Sequence, residues 1–438
     1  MQADKTTLND LSIFHSEEEQ SVFHRLDFTN SIGGRDWLRH LIASPYSDLD
    51  KIQETQQTLK LIIEKENFWP SIITNGTVMV VQKLYESAIE AIPPQPNPVN
   101  ALIYRATNAH DYSLIKYSVN HFFDFTTGLM QLMDVFSSDN NPKLLQVMLD
   151  RIKILTDRPV IAELRNWNKK EKLSIANYLE YGRYLRWDFK PAALELVELY
   201  SKLDAYYSMA IASKRLNFCF PEIRKTSSPY VKATNLYHLL LKTPVAYNLE
   251  LNQQSNFLFL TGANMAGKST FIKAVGISVY LAHVGMGVPA EDFELSLFDG
   301  LLSNIQVEDN IARGESYFFN EVQRIRKTIE KINDGRNWLI LIDELFKGTN
   351  IQDAMKCSVV VIEGLRKMKN ALFILSTHLY EIGEGLMQYP NIRFNYFETY
   401  IKEGQLIFNY QLKEGISNDR FGYLILKREG VVNMLEDL

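Results

Sequence analysis

The chain has 438 residues, of which 46% are hydrophobic and 23% charged. That length calls for several domains, and that composition excludes disordered, collagen-like and low-complexity architectures. A net charge of −5 argues against a surface that coats nucleic acid along its whole length, although it leaves room for a local basic patch.

The chain opens on Met1-Gln2-Ala3-Asp4-Lys5, which is polar and has no apolar signal core. From residue 8 to about 220 the apolar residues recur at intervals of three and four, as in Leu38, Leu41, Ile42 and in Leu59, Ile62, Ile63. That spacing predicts an all-helical first half. Pro45 and Pro70 punctuate it, and the proline run Ile92 to Pro98 reads as a stiff connector. The stretch 141–190 carries eleven Lys and Arg against six Asp and Glu, interleaved with Trp167, Tyr178, Tyr181, Tyr184 and Trp187. Basic residues alternating with aromatics can track a phosphate backbone, and Lys169, Lys170 and Lys172 are the candidate contacts. The plainer reading is a solvated helical face with its aromatics turned to the core. Residues 191–216 then predict one long helix with a broad apolar stripe, ended by Asn217 and Pro221.

From about residue 223 short apolar strands alternate with helices, with candidate strands at 256–260, 338–342, 371–375, 393–400 and 405–411. This is the α/β pattern. No apolar run approaches the ~20 residues that span a bilayer. Cys219 and Cys357 exclude a disulfide framework and a cysteine-based zinc site, and read as buried thiols in a reducing cytoplasm.

Gly262-Ala263-Asn264-Met265-Ala266-Gly267-Lys268-Ser269 matches G-x-x-x-x-G-K-[ST] in full, between an apolar strand and the helix that Thr270 opens. Glycines let the backbone turn its N–H groups toward phosphates, and the helix N-terminus adds partial positive charge. Lys268 can reach the β- and γ-phosphates of a nucleotide, and Ser269 can hold Mg²⁺. Seventy-five residues after Lys268, the strand Leu339 to Ile342 ends in Asp343-Glu344. Asp343 at that place can hold the metal, and Glu344 can polarise an attacking water. Ser376-Thr377-His378 ends a third strand, where His378 can sense a γ-phosphate.

With these residues in hand, TGANMAGKST at 261–270 strongly resembles the ATP-binding loop of the MutS DNA mismatch-repair family, which is related to the ABC ATPases. Gly287 to Ala290 and DNIARGESYFFNEV at 309–322 resemble the loop and the ABC-like signature that follow. In that alignment Ser316 takes the place of the serine that contacts the γ-phosphate bound in the opposite subunit. Asp343-Glu344-Leu345 with Gly348-Thr349-Asn350 looks like the Walker B strand and its turn, and LKEGISNDRFG at 412–422 is similar to the closing segment. More weakly, 29–45 resembles the start of the family's core, or lever, domain, and 203–223 looks like the helix leading into the ATPase. Ala263 and Ala266 stand where Pro and Gly are commoner, and Glu315 where an arginine is commoner. The expectation from this wording is a form without a mismatch-reading domain before residue 29, where neither Phe14 nor Phe23 has a Glu two positions on, and without a nuclease-like tail.

The resemblance implies a helical core/lever domain at 1–222, with 95–190 as a reduced clamp region, and an ABC-like P-loop ATPase domain at 223–438. It implies ATP and Mg²⁺ as ligands and a slow ATPase. It also implies a homodimer with composite sites that closes on double-stranded or branched DNA, in mismatch repair or recombination, with other repair proteins as partners. The expected location is cytoplasmic, at the nucleoid if the protein binds DNA. Alternatives are an ATP-switched clamp on branched DNA, RNA or ribosomes that reads no mismatch, and the ATPase subunit of an ABC transporter.

Overall fold

The computed structural model describes all residues except 90, 139, 168–172, 306–316, 403–404, 418–430 and 437–438. In chain order the helices of the first half are α1 (Lys5–Asp10), α2 (Val22–Leu26), α3 (Ile32–Ala43), α4 (Leu49–Lys65), α5 (Asn75–Glu86) and α6 (Pro98–Thr107). They continue with α7 (Ala109–Val135), α8 (Lys143–Thr156), α9 (Pro159–Asn166), α10 (Ile175–Arg183) and α11 (Lys190–Arg215). The second half holds β1 (Glu222–Arg224), β2 (Val231–Leu236), β3 (Tyr247–Leu251), β4 (Phe257–Thr261), α12 (Lys268–Val284), β5 (Asp292–Ser296) and β6 (Gly300–Asn304). It ends with α13 (Tyr317–Ile332), β7 (Trp338–Asp343), α14 (Ile351–Leu365), β8 (Ala371–Ser376), α15 (Glu381–Leu386), β9 (Ile392–Lys402), β10 (Gln405–Glu414) and α16 (Val431–Glu436).

These elements form two compact units: one of 26–43 and 53–214, the other of 1–25, 44–52 and 215–438. A single cut at residue 222 does not separate them. The reason is local. Gln2 makes a parallel bridge to Gly300 beside β6, and the buried Asp10 of α1 accepts from Ser303 Oγ at 2.6 Å and Ile305 N at 3.0 Å. Residues 44–52 are likewise held at the end of α12. Tyr46 N donates to His283 O (2.7 Å), and the Met1 amine donates to Pro45 O (2.8 Å). The fully buried His283 ring accepts from Phe298 N at Nε2 (3.2 Å), so Nδ1 carries the proton toward Tyr46 O (3.0 Å).

The helical unit is organised on α11. Its Asp204 is fully buried and accepts from Asn30 N (2.9 Å), Asn30 Nδ2 (3.0 Å), Ser31 N (2.8 Å) and Ser31 Oγ (2.7 Å). One carboxylate thus satisfies the donors at the start of α3, which would otherwise be orphaned. Between α10 and α11 the residues 184–188 form a π-helical turn, where Arg186 caps the end of α5 by donating to Leu84 O and to Ser87 O.

In the other unit a four-stranded sheet runs β1-β5-β2-β3 and a six-stranded sheet runs β10-β9-β4-β8-β7-β6. All pairings in the larger sheet are parallel except β10 with β9. Its central strands β4, β7 and β8 are buried at every residue, as continuous apolar runs in a parallel sheet require. Alternation sends Phe257, Phe259, Trp338, Ile340, Ile342, Phe373 and Leu375 to one face, where they meet Ile325 and Ile332 of α13 and Ile362 and Leu365 of α14. Leu341 points to the opposite face and touches α12 at Gly276.

Candidate functional site

The parallel strands β4, β8 and β7 are neighbours in the sheet, so the loops at their C-terminal ends open side by side. Ligands of open α/β sheets bind at that edge. The loop after β4 holds Gly262 to Ser269, the turn after β7 holds Asp343 and Glu344, and the turn after β8 holds Thr377 and His378. Asn264, Met265, Gly267, Lys268, Ser269, Thr270, Asp343, Glu344 and His378 line one cleft of about 460 Å³. Residues drawn from three separate places in the sequence therefore meet in space.

Left-handed φ in the loop falls at Gly262 (+138°), Met265 (+68°) and Gly267 (+108°). Ala263 and Ala266, the departures from the commoner wording, are both buried and neither needs such a φ. At Gly262 a Cβ would also lie 3.1 Å from Phe397 O, so glycine is required there twice over. α12 begins at Lys268, which is 6% exposed. Its Nζ donates to Gly262 O (2.8 Å) and Ala263 O (3.0 Å), both within its own loop. Burial lowers its pKa to about 8 against the opposing pull of Glu344 and Asp343.

Asp343 accepts a hydrogen bond from Ser376 Oγ across the β7–β8 pair. Glu344 stands at a left-handed φ of +67°, and its N–H donates to Ser376 O at 2.9 Å. Its carboxylate pairs with His378 Nε2 at 2.6 Å and with Lys347 Nζ at 3.2 Å. Burial pushes its pKa up, but His378 and then Lys347 outweigh that and hold it down at about 2. The donors that Ser269 and Asp343 offer are hydroxyl and carboxylate oxygens, the set a hard ion such as Mg²⁺ takes. A helix N-terminus, a buried lysine and those oxygens fit a nucleotide phosphate with its metal.

Several residues of the cleft carry no sequence signal of their own. Tyr247 and Tyr410 line it together with Leu241, Thr243 and Val245. Tyr410 has φ of +55° and sits where the β9–β10 register shifts between Phe408 and Leu412. Such a bulge re-aims a side chain, and its Cδ1 comes 3.4 Å from the Cβ position of Gly267. No motif spacing announces a bulge. Lys347, between the residues read as the Walker B strand and those read as its turn, was not singled out in the sequence.

Ser316 and Glu315 lie outside the described residues, as do Lys169, Lys170 and Lys172. Five of the cations of 141–190 are engaged within the helical unit. Arg151 pairs with Glu195 (2.8 Å at Nη2) and Arg183 with Asp188 (3.4 Å), while Arg186 caps α5. Arg158 lies over the ring of Phe189 and Lys190 over that of Tyr85. Trp167 packs edge-on to Phe123 and Tyr178, and Tyr184 stacks on Phe189, whereas Trp187 is 46% exposed. Among the described residues no helix is long and apolar enough to cross a membrane.

Residues 258–435 match the family model MutS domain V. The chain is similar to the DNA mismatch repair protein MutS of Pseudothermotoga lettingae, with 29% identity over 231 residues. It is similar also to those of Oceanobacillus iheyensis (28% over 251 residues) and Listeria innocua (28% over 241 residues). These alignments take in 52%, 56% and 54% of this chain but only 28% of each relative. Residues 258–435 are therefore similar to MutS domain V, the family that the wording of the loop at 261–270 resembles.

Proposed function

We propose that this protein is a MutS-like ATPase that binds DNA in an ATP-dependent way. The observation that carries this reading is the convergence of Lys268, Ser269, Asp343, Glu344 and His378 in one cleft. The loop N–H groups and the start of α12 take the phosphates, and Lys268 leaves the carbonyls of Gly262 and Ala263 to pair with the β- and γ-oxygens. Ser269 and Asp343 would hold Mg²⁺, which would supply positive charge against the phosphates. Tyr410 offers an aromatic face for the base at the rim of the cleft.

Glu344 orients the attacking water. A carboxylate held at about 2 accepts a hydrogen bond from water far better than it accepts a proton. Its partners His378 and Lys347 give it a defined direction, and the Lys347 ammonium brings positive charge near the place of the γ-phosphate. Ser316 completes the site of a second copy in trans, so ATP draws two copies together. α11 runs unbroken in the chain from the helical unit to Arg215 and carries that closure to a DNA-binding clamp. The relatives' name supports a place in DNA mismatch repair.

The test is ATP-dependent binding to a panel of homoduplex, mismatched, branched and RNA ligands. Retention on DNA that needs ATP and weakens steeply with salt is expected. Preference for branched DNA or RNA would favour the clamp that reads no mismatch. Binding to every ligand unchanged by ATP would end the proposal.

A further inference from the structure

The turn after β7 is held in a strained form by a carboxylate that plays no part in the mechanism above. Glu344 and Phe346 have left-handed φ of +67° and +59°. Two such side chains within three positions persist only where their surroundings over-determine them. One constraint is the Glu344 N–H bond to Ser376 O. The other two come from α13. Phe346 is 4% exposed and its ring lies 5.7 Å from that of Phe318. One turn further along the same helix, Glu321 is 3% exposed and accepts Lys347 N at 3.0 Å on Oε1 and Gly348 N at 3.1 Å on Oε2.

A buried carboxylate is costly unless it is hydrogen-bonded, and each oxygen of Glu321 takes a backbone N–H of this turn. The residue whose N–H it holds, Lys347, returns its ammonium to Glu344 Oε2 at 3.2 Å. A contiguous set of contacts thus runs from Glu321 through the Lys347 backbone and side chain to the Glu344 carboxylate. We propose that Glu321 is a positioning residue for Glu344: it fixes the turn whose shape sets where that carboxylate points. The inference rests on the reading of Glu344 as the group that orients water.

The experiment is single-turnover ATP hydrolysis with ATP affinity by calorimetry, on the parent chain, Glu321→Ala, Glu321→Gln and Glu344→Gln. Misplacing a catalytic group by an ångström costs up to about 100-fold in rate, so Glu321→Ala should hydrolyse at least ~10-fold more slowly. Its ATP affinity should stay within about threefold, because the phosphate loop lies on another strand. Glu321→Gln keeps one acceptor for the turn and should fall between Ala and parent. Hydrolysis at the parent rate in Glu321→Ala would overturn the inference. So would a loss of rate and affinity together that Gln does not relieve. If the Ala variant does not fold, Gln decides: slowed turnover with parental affinity supports the role, and the parent rate overturns it. A parent that does not hydrolyse ATP, or a Glu344→Gln variant as fast as the parent, would instead overturn the reading of Glu344 itself.

Discussion

The two units use charged residues in opposite ways. At the sheet edge, Lys268, Asp343, Glu344 and His378 face a common cleft and point at one another or at their own loops. In the helical unit the conspicuous charges are spent on architecture. Asp204 gathers the start of α3, Arg186 caps α5, and Arg151 meets Glu195. A run of eleven cations in fifty residues therefore says less about a ligand than eight residues in a phosphate-loop pattern. The pattern constrains where its groups go, whereas a charge count does not.

This contrast predicts effects that differ in kind. The largest is at the cleft: Lys268→Ala should weaken ATP binding by at least ~100-fold in calorimetry while leaving the unfolding transition intact. Unchanged affinity would remove the cleft's claim to be a nucleotide site. In the helical unit, Asp204→Ala leaves several buried donors without an acceptor and should cost about 3 kcal/mol in urea unfolding. ATP affinity should not move.

His283 tests the architecture of the other unit through pH. Burial holds its pKa near 4 in the fold, against about 6.5 unfolded. The unfolded chain alone takes up that proton between those values, so stability is intact above pH 6.5 and falls as the pH drops toward 4. The loss approaches about 3 kcal/mol, and His283→Gln should flatten the profile over that window. Unfolding midpoints that respond to pH equally in both proteins would contradict a buried neutral imidazole.

The smallest effects concern the basic stretch. Arg186→Ala should destabilise by about 1–2 kcal/mol through the lost caps on α5. Arg151→Ala should leave the midpoint where it was, because an exposed ion pair is screened. Neither should alter the salt dependence of DNA binding. A flattened slope in either variant would return these arginines to the DNA and dissolve the contrast between the units.

What was legible in the sequence follows the same division. Strands at 256–260, 338–342, 371–375, 393–400 and 405–411 are present within a few residues, and the helix at 191–216 is α11. Long apolar runs and strong periodicity survive tertiary context. β1, β2, β3, β5 and β6 were not foreseen. β1 is three residues long, and in Val231-Lys232-Ala233-Thr234-Asn235-Leu236 the buried Ala233 carries little hydrophobic contrast with its neighbours. The packing of 1–25 with the sheet was hidden because Gln2, Thr7 and Asp10 are polar and look like surface. In the cleft, motif positions were readable, since each follows from phosphate chemistry. Glu321 and Tyr410 were not, because a backbone-holding carboxylate and a bulged tyrosine leave no spacing to read.

The central claim is that the cleft binds ATP and that Glu344 governs its turnover. Single-turnover hydrolysis with Mg²⁺, compared between the parent chain and Glu344→Gln at saturating protein, tests it most directly. The expected result is ATP affinity preserved within a few-fold and hydrolysis slowed by about 100-fold or more. Equal rates in the two proteins would contradict it.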